Sequence, residues 1–415
     1  MSMGHQAPST DELKRLLDQT AMYDAVIEEI DGRRIRIGDR WLTDYASCNY
    51  LGFDLDPEII DAIVGALGRW GTHPSWSRLL GNPRLYPEIE ERLTELLGAP
   101  DTLVLPTITH IHFSVLPVLV GAGTVFVEAQ AHKTIFDGAN HARVNGAAMR
   151  RFDAADPGGL ADLLRAAPTD HPRVVCLDGV NSMTGNVPDL SALAAVTRAH
   201  GALLYVDDAH GFGILGERCA DEPSPYGVRG NAIVRHLGES YDGIVLVGGF
   251  SKAYSSMLAF LAVTPAVKQH LKVTAAPYLY SGPSPVASLA GVLAGFDVNE
   301  RRGDALRTHL HALSVRVLEH VRSLGAVTPN AGSTPVVELL VAPGRDLAEV
   351  SELLWERGVY ATLAAYPLVP RSQTGFRLQL TAAHTHEQVD ELCRVLTELA
   401  DRGVLRSNVQ DRHNS

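Results

Sequence analysis

Between residues 100 and 250 of this 415-residue chain, short runs of Val, Leu and Ile alternate with longer amphipathic segments. The runs read "TLVLP", "TVFVEA", "RVVCLDG", "ALLYVDDA" and "GIVLVGG", and helix-like stretches such as "PEIIDAIVGALGRW", "YPEIEERLTELLG" and "LSALAAVTRAH" surround them. A strand that is apolar at every position is buried on both faces, the condition of a parallel sheet covered by helices on each side. The spacing therefore predicts an α/β, three-layer, mostly parallel sheet. Before it, residues 11–30 read as an amphipathic helix capped by Ser9, Thr10 or Asp11, and "RRIRIGDRWLTDYAS" reads as a hairpin. Near residue 285 the rhythm changes. A long helical stretch (about 284–324), "PVVELLV", a helix at 346–357, "GVYATLA", "FRLQLTA" and a closing helix at 386–402 form a smaller α+β domain. The expected division is an N-terminal arm (1–56), a large domain (57–285), a small domain (286–402) and a frayed polar tail (403–415).

Open parallel sheets bind ligands beyond the carboxyl ends of their strands. The residues after each apolar run are Thr107 and Thr109, His132, Asp178 to Ser182, Asp207 to His210, and Gly248 to Lys252. Lys252 is one of five lysines in the chain. A lysine after a strand is ordinarily a solvated charge, but this one follows a buried run and sits among small residues. Partial desolvation lowers a lysine pKa and suits it to carbonyl chemistry. In "VDDAHG" alternation sends Asp207 and Asp208 to opposite sides, so only one of them can face a shared ligand; the competing reading of the stretch is a capped helix start, with Asp accepting backbone N–H groups. Lysine, carboxylate and a flat stacking partner at strand ends are what pyridoxal phosphate chemistry requires.

The formal net charge is -12, and no basic tract is present, which argues against nucleic acid and anionic membrane as partners. No apolar run approaches the roughly 20 residues needed to span a bilayer. Cys48, Cys176, Cys219 and Cys393 show no paired spacing, so neither a metal site nor a disulfide framework is expected, and a reducing cytoplasm is.

At this point the sequence resembles a family. "VDDAHGFGILGER" is similar to the V-D-E-A-H-G-x-G-x-x-G-x-R stretch of the α-oxoamine synthases, which are fold-type-I pyridoxal phosphate enzymes. "SCNYLGFDLDPEII", "WGTHPSWSRLLGNPRLYPEIEERL", "AHKTIFDG", "DGVNSMTGNVPDL" and "FRLQLTAAHT" resemble further family stretches, so the likeness covers about residues 35–400. The resemblance implies that Lys252 carries the cofactor aldehyde and moves the substrate α-proton, that Asp207 pairs with the pyridine nitrogen, and that His132 stacks on the ring. It places His210 and Ser182 near the phenolic oxygen, and it assigns Arg377, helped by Asn49, to the substrate carboxylate. The implied reaction is decarboxylative condensation of an amino acid with an acyl thioester of coenzyme A or an acyl carrier protein, in a homodimer.

The phosphate cup departs from the family pattern. Where the family reads S-G-[FY]-x-A-N, this chain has Thr107-Ile108-Thr109-His110-Ile111-His112, with Ile108 at the glycine and His112 at the asparagine. Gly249 stands where the family tends to carry Thr. Thr107, Thr109 and Ser251 are the replacement donors to expect, and His112 is expected beside the reacting carbon, where it would shape substrate choice. The altered cup points to a specialised biosynthetic pathway. An aminotransferase or amino-acid lyase of the same fold, and a non-catalytic partner subunit, are the rival readings.

Overall fold

The computed structural model describes residues 10–219 and 221–407, and these form two compact units. The first comprises residues up to 48, 183–186 and 310 onward; the second comprises 49–182 and 187–309. The expected separate N-terminal arm is thus grouped with the C-terminal residues. The boundary near 285 moves into the helix Val286–Ser323.

In the first unit, strands β1 (Glu29–Asp31), β2 (Arg34–Ile37) and β3 (Arg40–Asp44) form an antiparallel meander that contains the expected hairpin. The helix before them is shorter than its periodicity suggests. It covers Asp11–Gln19 and ends at Thr20, whose hydroxyl accepts from Met22 N–H at 3.0 Å. Thr10 occupies the cap position without a side-chain cap bond, and Ser9 lies outside the described residues.

The second unit holds β4 (Asp101–Leu105), β5 (Thr124–Glu128), β6 (Ala148–Phe152), β7 (Arg173–Asp178), β8 (Leu203–Asp207), β9 (Ile244–Gly249) and β10 (Ala259–Val263). They form one sheet in the order β4-β10-β9-β8-β7-β5-β6, in which only β10 runs against the others. This is the mostly parallel sheet that the sequence predicts. Its central strands are buried along their length, β9 and β10 at every residue. On one face Val125, Val127, Cys176, Tyr205, Val245 and Val247 pack against Ile111, Val115 and Leu116 of the helix Ile108–Val120 and Ile135 and Ala139 of the helix Lys133–Val144. Burying such side chains stabilises the fold by about 1.5–3 kcal/mol each.

The first unit is completed by β11 (Val336–Leu340), β12 (Val359–Tyr360), β13 (Thr362–Ala364) and β14 (Gly375–Gln379). β12 joins β3 in parallel, pairing Val359 with Thr43, while β11, β14 and β13 form an antiparallel sheet. The helices Leu347–Glu356 and His386–Asp401 match the expected positions, the latter with a Thr385–Gln388 capping box. Leu405 and Ser407 form bridges to Val341 and Ala326, so fraying does not begin at residue 403; residues 408–415 lie outside the described range.

Candidate active site

A cavity of about 270 Å³ opens at the carboxyl ends of the second unit's strands. Lys252, Asp207, His132, His210, Ser182, Thr107, Ile108, Thr109 and Ser251, all singled out from the sequence, line it. Asp178, which was noted only as a strand-end residue, lines it too.

Lys252 sits in the turn from β9 to the antiparallel β10. The turn is closed by Phe250 N–H to Leu258 O (2.8 Å), Ser256 N–H to Phe250 O (2.9 Å) and Ser255 N–H to Lys252 O (2.9 Å). Phe250 and Tyr254 flank the lysine and are buried against Phe212, with ring centroids 5.3 and 5.2 Å away. Aromatic packing beneath the turn therefore fixes the backbone that presents the amine to the cavity.

The two carboxylates of "VDDAHG" divide as alternation requires. Asp207 reaches the cavity; Asp208 is fully buried on the other side, where it accepts Ile233 N–H at 2.8 Å. β7 and β8 are in parallel register with Asp178 opposite Asp207, which sets two acids side by side at the cavity floor. Their charge states separate. Burial and the neighbouring Asp207 charge push Asp178 well above the usual carboxylate range. Burial pushes Asp207 the same way, but the hydrogen bond from His112 and the charges of His112, Lys252 and His132 outweigh it and hold Asp207 low. The two acids are thus pushed in opposite directions, Asp178 toward the neutral form and Asp207 toward the anion, a pattern of functional sites. Asp178 also accepts the backbone N–H of His132 at 3.2 Å, and its second oxygen is buried without a hydrogen-bond partner among the described residues.

His132 caps the helix Lys133–Val144, with its Nδ1 2.7 Å from the Thr134 hydroxyl. His210 Nδ1 lies 2.8 Å from the Tyr50 hydroxyl. Tyr50 belongs to the "NYLG" stretch, and no sequence pattern ties it to His210, which stands 160 residues away. Thr107 caps the helix Ile108–Val120, accepting His110 N–H at 3.2 Å, so the positive end of that helix abuts the cavity. Ile108 and Gly249 are fitted to each other: a Cβ at position 249 would lie 2.6 Å from Ile108 Cδ1. The isoleucine fills the space that a side chain on residue 249 would need.

Two expected contacts are corrected. His112 does not line the cavity. It is fully buried behind it, with Nε2 2.9 Å from Asp207 Oδ2 and Nδ1 2.8 Å from the Tyr205 hydroxyl. Residue 112 lies inside the helix Ile108–Val120, whose turn carries it onto the face of the central strand β8. Asn49 does not line the cavity either, and its amide donates to Asp54 Oδ2 at 2.9 Å. Arg377 belongs to the first unit, where β14 sets it opposite Glu338 of β11 and its Nη1 is 3.7 Å from Met183 Sδ. Also in that unit, Gly185 of "DGVNSMTGNVPDL" adopts φ +71°, and a Cβ there would meet Thr334 Oγ1 at 2.3 Å, which accounts for a glycine at this position.

The residues present fit the pyridoxal phosphate that the sequence resemblance implies. A primary amine, an ionised carboxylate and a helix N-terminus face one cavity, and each matches a different group of the cofactor: aldehyde, ring nitrogen and phosphate.

Comparison with known proteins agrees. Residues 46–396 match the family described as aminotransferase class I and II. The 8-amino-7-oxononanoate synthase of Pseudomonas putida KT2440 is 34% identical over 376 residues, covering 90% of this chain and 92% of that protein. That of Chromohalobacter salexigens is also 34% identical, over 84% of this chain and 87% of that protein. Among solved structures, Sphingomonas wittichii serine palmitoyltransferase superposes with a TM-score of 0.84 at 25% identity, over 94% of this chain and 96% of that one. The fold of a serine palmitoyltransferase solved with pyridoxal phosphate superposes with a TM-score of 0.85 at 24% identity, with the same coverage. With its fold, the contents of its cavity and its relatives in accord, this chain belongs to the aminotransferase class I and II family and, within it, to the α-oxoamine synthases.

Proposed function

We propose that this chain condenses an amino acid with an acyl thioester and releases carbon dioxide, giving an α-amino ketone, with pyridoxal phosphate held in the second unit's cavity. The observation that carries this reading is the convergence of Lys252, Asp207, His132, Ser182 and His210 on that cavity, in a chain with the relatives above. When bound, pyridoxal phosphate supplies an aldehyde that captures amines and a ring that draws electron density from the substrate α-carbon.

Lys252 Nζ would hold the aldehyde and, once a substrate amine displaces it, take the α-proton. Asp207, held ionised, would keep a proton on the ring nitrogen. Ser182 and His210 would meet the phenolic oxygen, with His210 oriented by Tyr50. The N-terminal turn at Thr107, Ile108 and Thr109, with Ser251, would take the phosphate. Arg377 would clamp the amino-acid carboxylate through paired N–H donors. His132, against the ring, would donate to the thioester carbonyl oxygen as charge develops there. The carbon–carbon bond forms as the carbon–sulfur bond breaks and the thiolate leaves. The carboxylate then departs as carbon dioxide, and Lys252 returns a proton to the α-carbon.

The replaced cup residues support a specialised biosynthetic role, with coenzyme A or a carrier protein as the acyl donor. Normal turnover with pimeloyl or succinyl thioesters would contradict that specialisation. Trp76, Leu79, Leu80 and Tyr280 are exposed on the second unit, an apolar surface that suits a homodimer partner. A cytoplasmic location is part of the same proposal; no described helix is long and apolar enough to cross a membrane. The test is a panel of carboxyl-labelled amino acids with acyl thioesters. Labelled carbon dioxide and free thiol in equal amounts are expected. A 2-oxo acid formed without thioester would instead identify an aminotransferase.

A further inference from the structure

The anion at the cavity floor is held from behind. Tyr205 and Asp207 are two residues apart on β8 and so project to the same face of the sheet. The helix Ile108–Val120 covers that face and places His112 against both: Nε2 is 2.9 Å from Asp207 Oδ2 and Nδ1 is 2.8 Å from the Tyr205 hydroxyl. Ala209 N–H donates to the other Asp207 oxygen at 3.0 Å. The imidazole is locked in place. It is fully buried, and the neighbouring helix Lys133–Val144 approaches so closely that a Cβ on Gly138 would lie 2.3 Å from His112 O.

Proton accounting gives the chain a direction. An ionised carboxylate only accepts, so Nε2 donates to Asp207, while Nδ1 shares its hydrogen bond with the Tyr205 hydroxyl. Burial pushes the Tyr205 phenol up, so it keeps its proton. The series Tyr205–His112–Asp207 thus ends in an N–H donated to the carboxylate.

We propose that His112 is a positioning residue, itself held by Tyr205, which keeps Asp207 as an oriented anion facing the cavity, so that the pair governs how tightly the cofactor ring is bound. This rests on the reading that Asp207 meets the pyridine nitrogen. The groups around Asp207 are His112 from the covering helix, Tyr205 and Asp208 from its own strand, Asp178 from β7, Lys252 from the β9–β10 turn and His132 from the next helix start. Without His112, burial and the adjacent acids act on Asp207 with Lys252, His132 and the Ala209 N–H opposing them, so its pKa moves up.

The experiment is fluorescence titration of the apoprotein with pyridoxal phosphate between about pH 5.5 and about pH 8.5, for wild type, His112→Leu, His112→Gln, Tyr205→Phe and Asp207→Asn. His112→Leu is expected to weaken binding by about tenfold or more at the acid end, one tenfold step for each pKa unit gained by Asp207, and by less at the alkaline end. His112→Gln keeps an N–H for Asp207 and should recover most of the loss. Tyr205→Phe should shift binding in the same direction by less, and it carries the test if His112→Leu does not fold. Wild-type affinity for His112→Leu at every pH would overturn the proposal, as would equal, pH-independent losses in His112→Leu and His112→Gln. If Asp207→Asn binds like wild type, the reading of Asp207 itself fails; if Asp207→Asn is weakened and His112→Leu is not, only the proposal for His112 fails.

Discussion

Gly249→Ala tests the fit between the end of β9 and the first turn of the covering helix. The new methyl carbon would lie 2.6 Å from Ile108 Cδ1 and 3.2 Å from Cγ1, whereas carbons settle at about 3.5–4.0 Å. The isoleucine must therefore retreat by about 1 Å at its tip, and it lines the cavity. Overpacking of this kind costs about 1–3 kcal/mol. The contact is to the flexible end of the side chain, which puts the expected stability cost near the lower bound, and affinity falls to the extent that the displaced isoleucine intrudes on the bound cofactor, by no more than about fivefold to tenfold at about 1.4 kcal/mol per tenfold. The assay is absorbance titration of apoprotein with pyridoxal phosphate for Gly249→Ala, Ile108→Gly and the double variant. Shortening residue 108 gives the methyl room, so the double variant should bind more tightly than the product of the two single effects predicts. The coupling should exceed about 0.5 kcal/mol. Additive losses would refute the reciprocal fit, and unchanged binding in Gly249→Ala would refute the packing argument outright.

Three further outcomes are expected. Lys252→Ala should abolish turnover while leaving the protein folded, as measured by carbon dioxide release and circular dichroism; residual turnover near wild type would remove Lys252 from the mechanism. Asp208→Asn should bind cofactor like wild type, because that side chain faces away from the cavity and its burial already favours the neutral form; a loss as large as that of Asp207→Asn would overturn the division of the two acids. Glu338 is pushed up by burial to about 7, against an ordinary 4.5, although Arg377 opposes the shift. Its folded pKa is raised, so the stability it contributes is fully present below about pH 4.5 and is lost as pH rises through about 7, with an upper bound of about 3.4 kcal/mol. Glu338→Gln should therefore raise the thermal midpoint at pH 8 and not at pH 4.5, and a shift of equal size at both would contradict the assignment.

The strands that a reader of the sequence finds are those with uninterrupted apolar runs. β6 escapes because "AMRRF" is a half-exposed edge strand whose arginines interrupt the pattern. β10, "AFLAV", is as apolar a run as the others; what its residues do not announce is that it pairs antiparallel with both β9 and β4. The grouping of the N-terminal hairpin with the C-terminal residues depends on Thr43 meeting Val359, a contact across more than 300 residues. In the site, position after a strand was enough to nominate Lys252, Asp207, His132, His210 and the Thr107–Thr109 turn. His112 was misplaced because loop order says nothing about which face of a helix a residue occupies. Asp178 and Tyr205 were missed as site members because their roles come from lateral neighbours, Asp207 across the β7–β8 register and His112 above the sheet.

The most direct measurement is reduction of the reconstituted protein with borohydride, followed by peptide mass spectrometry. A yellow absorption band should disappear, and a pyridoxyl phosphate adduct should be found on the peptide containing Lys252 and be missing from Lys252→Ala. A protein that stays colourless with excess pyridoxal phosphate, or an adduct on one of the other lysines alone, would contradict the claim that this cavity anchors the cofactor through Lys252.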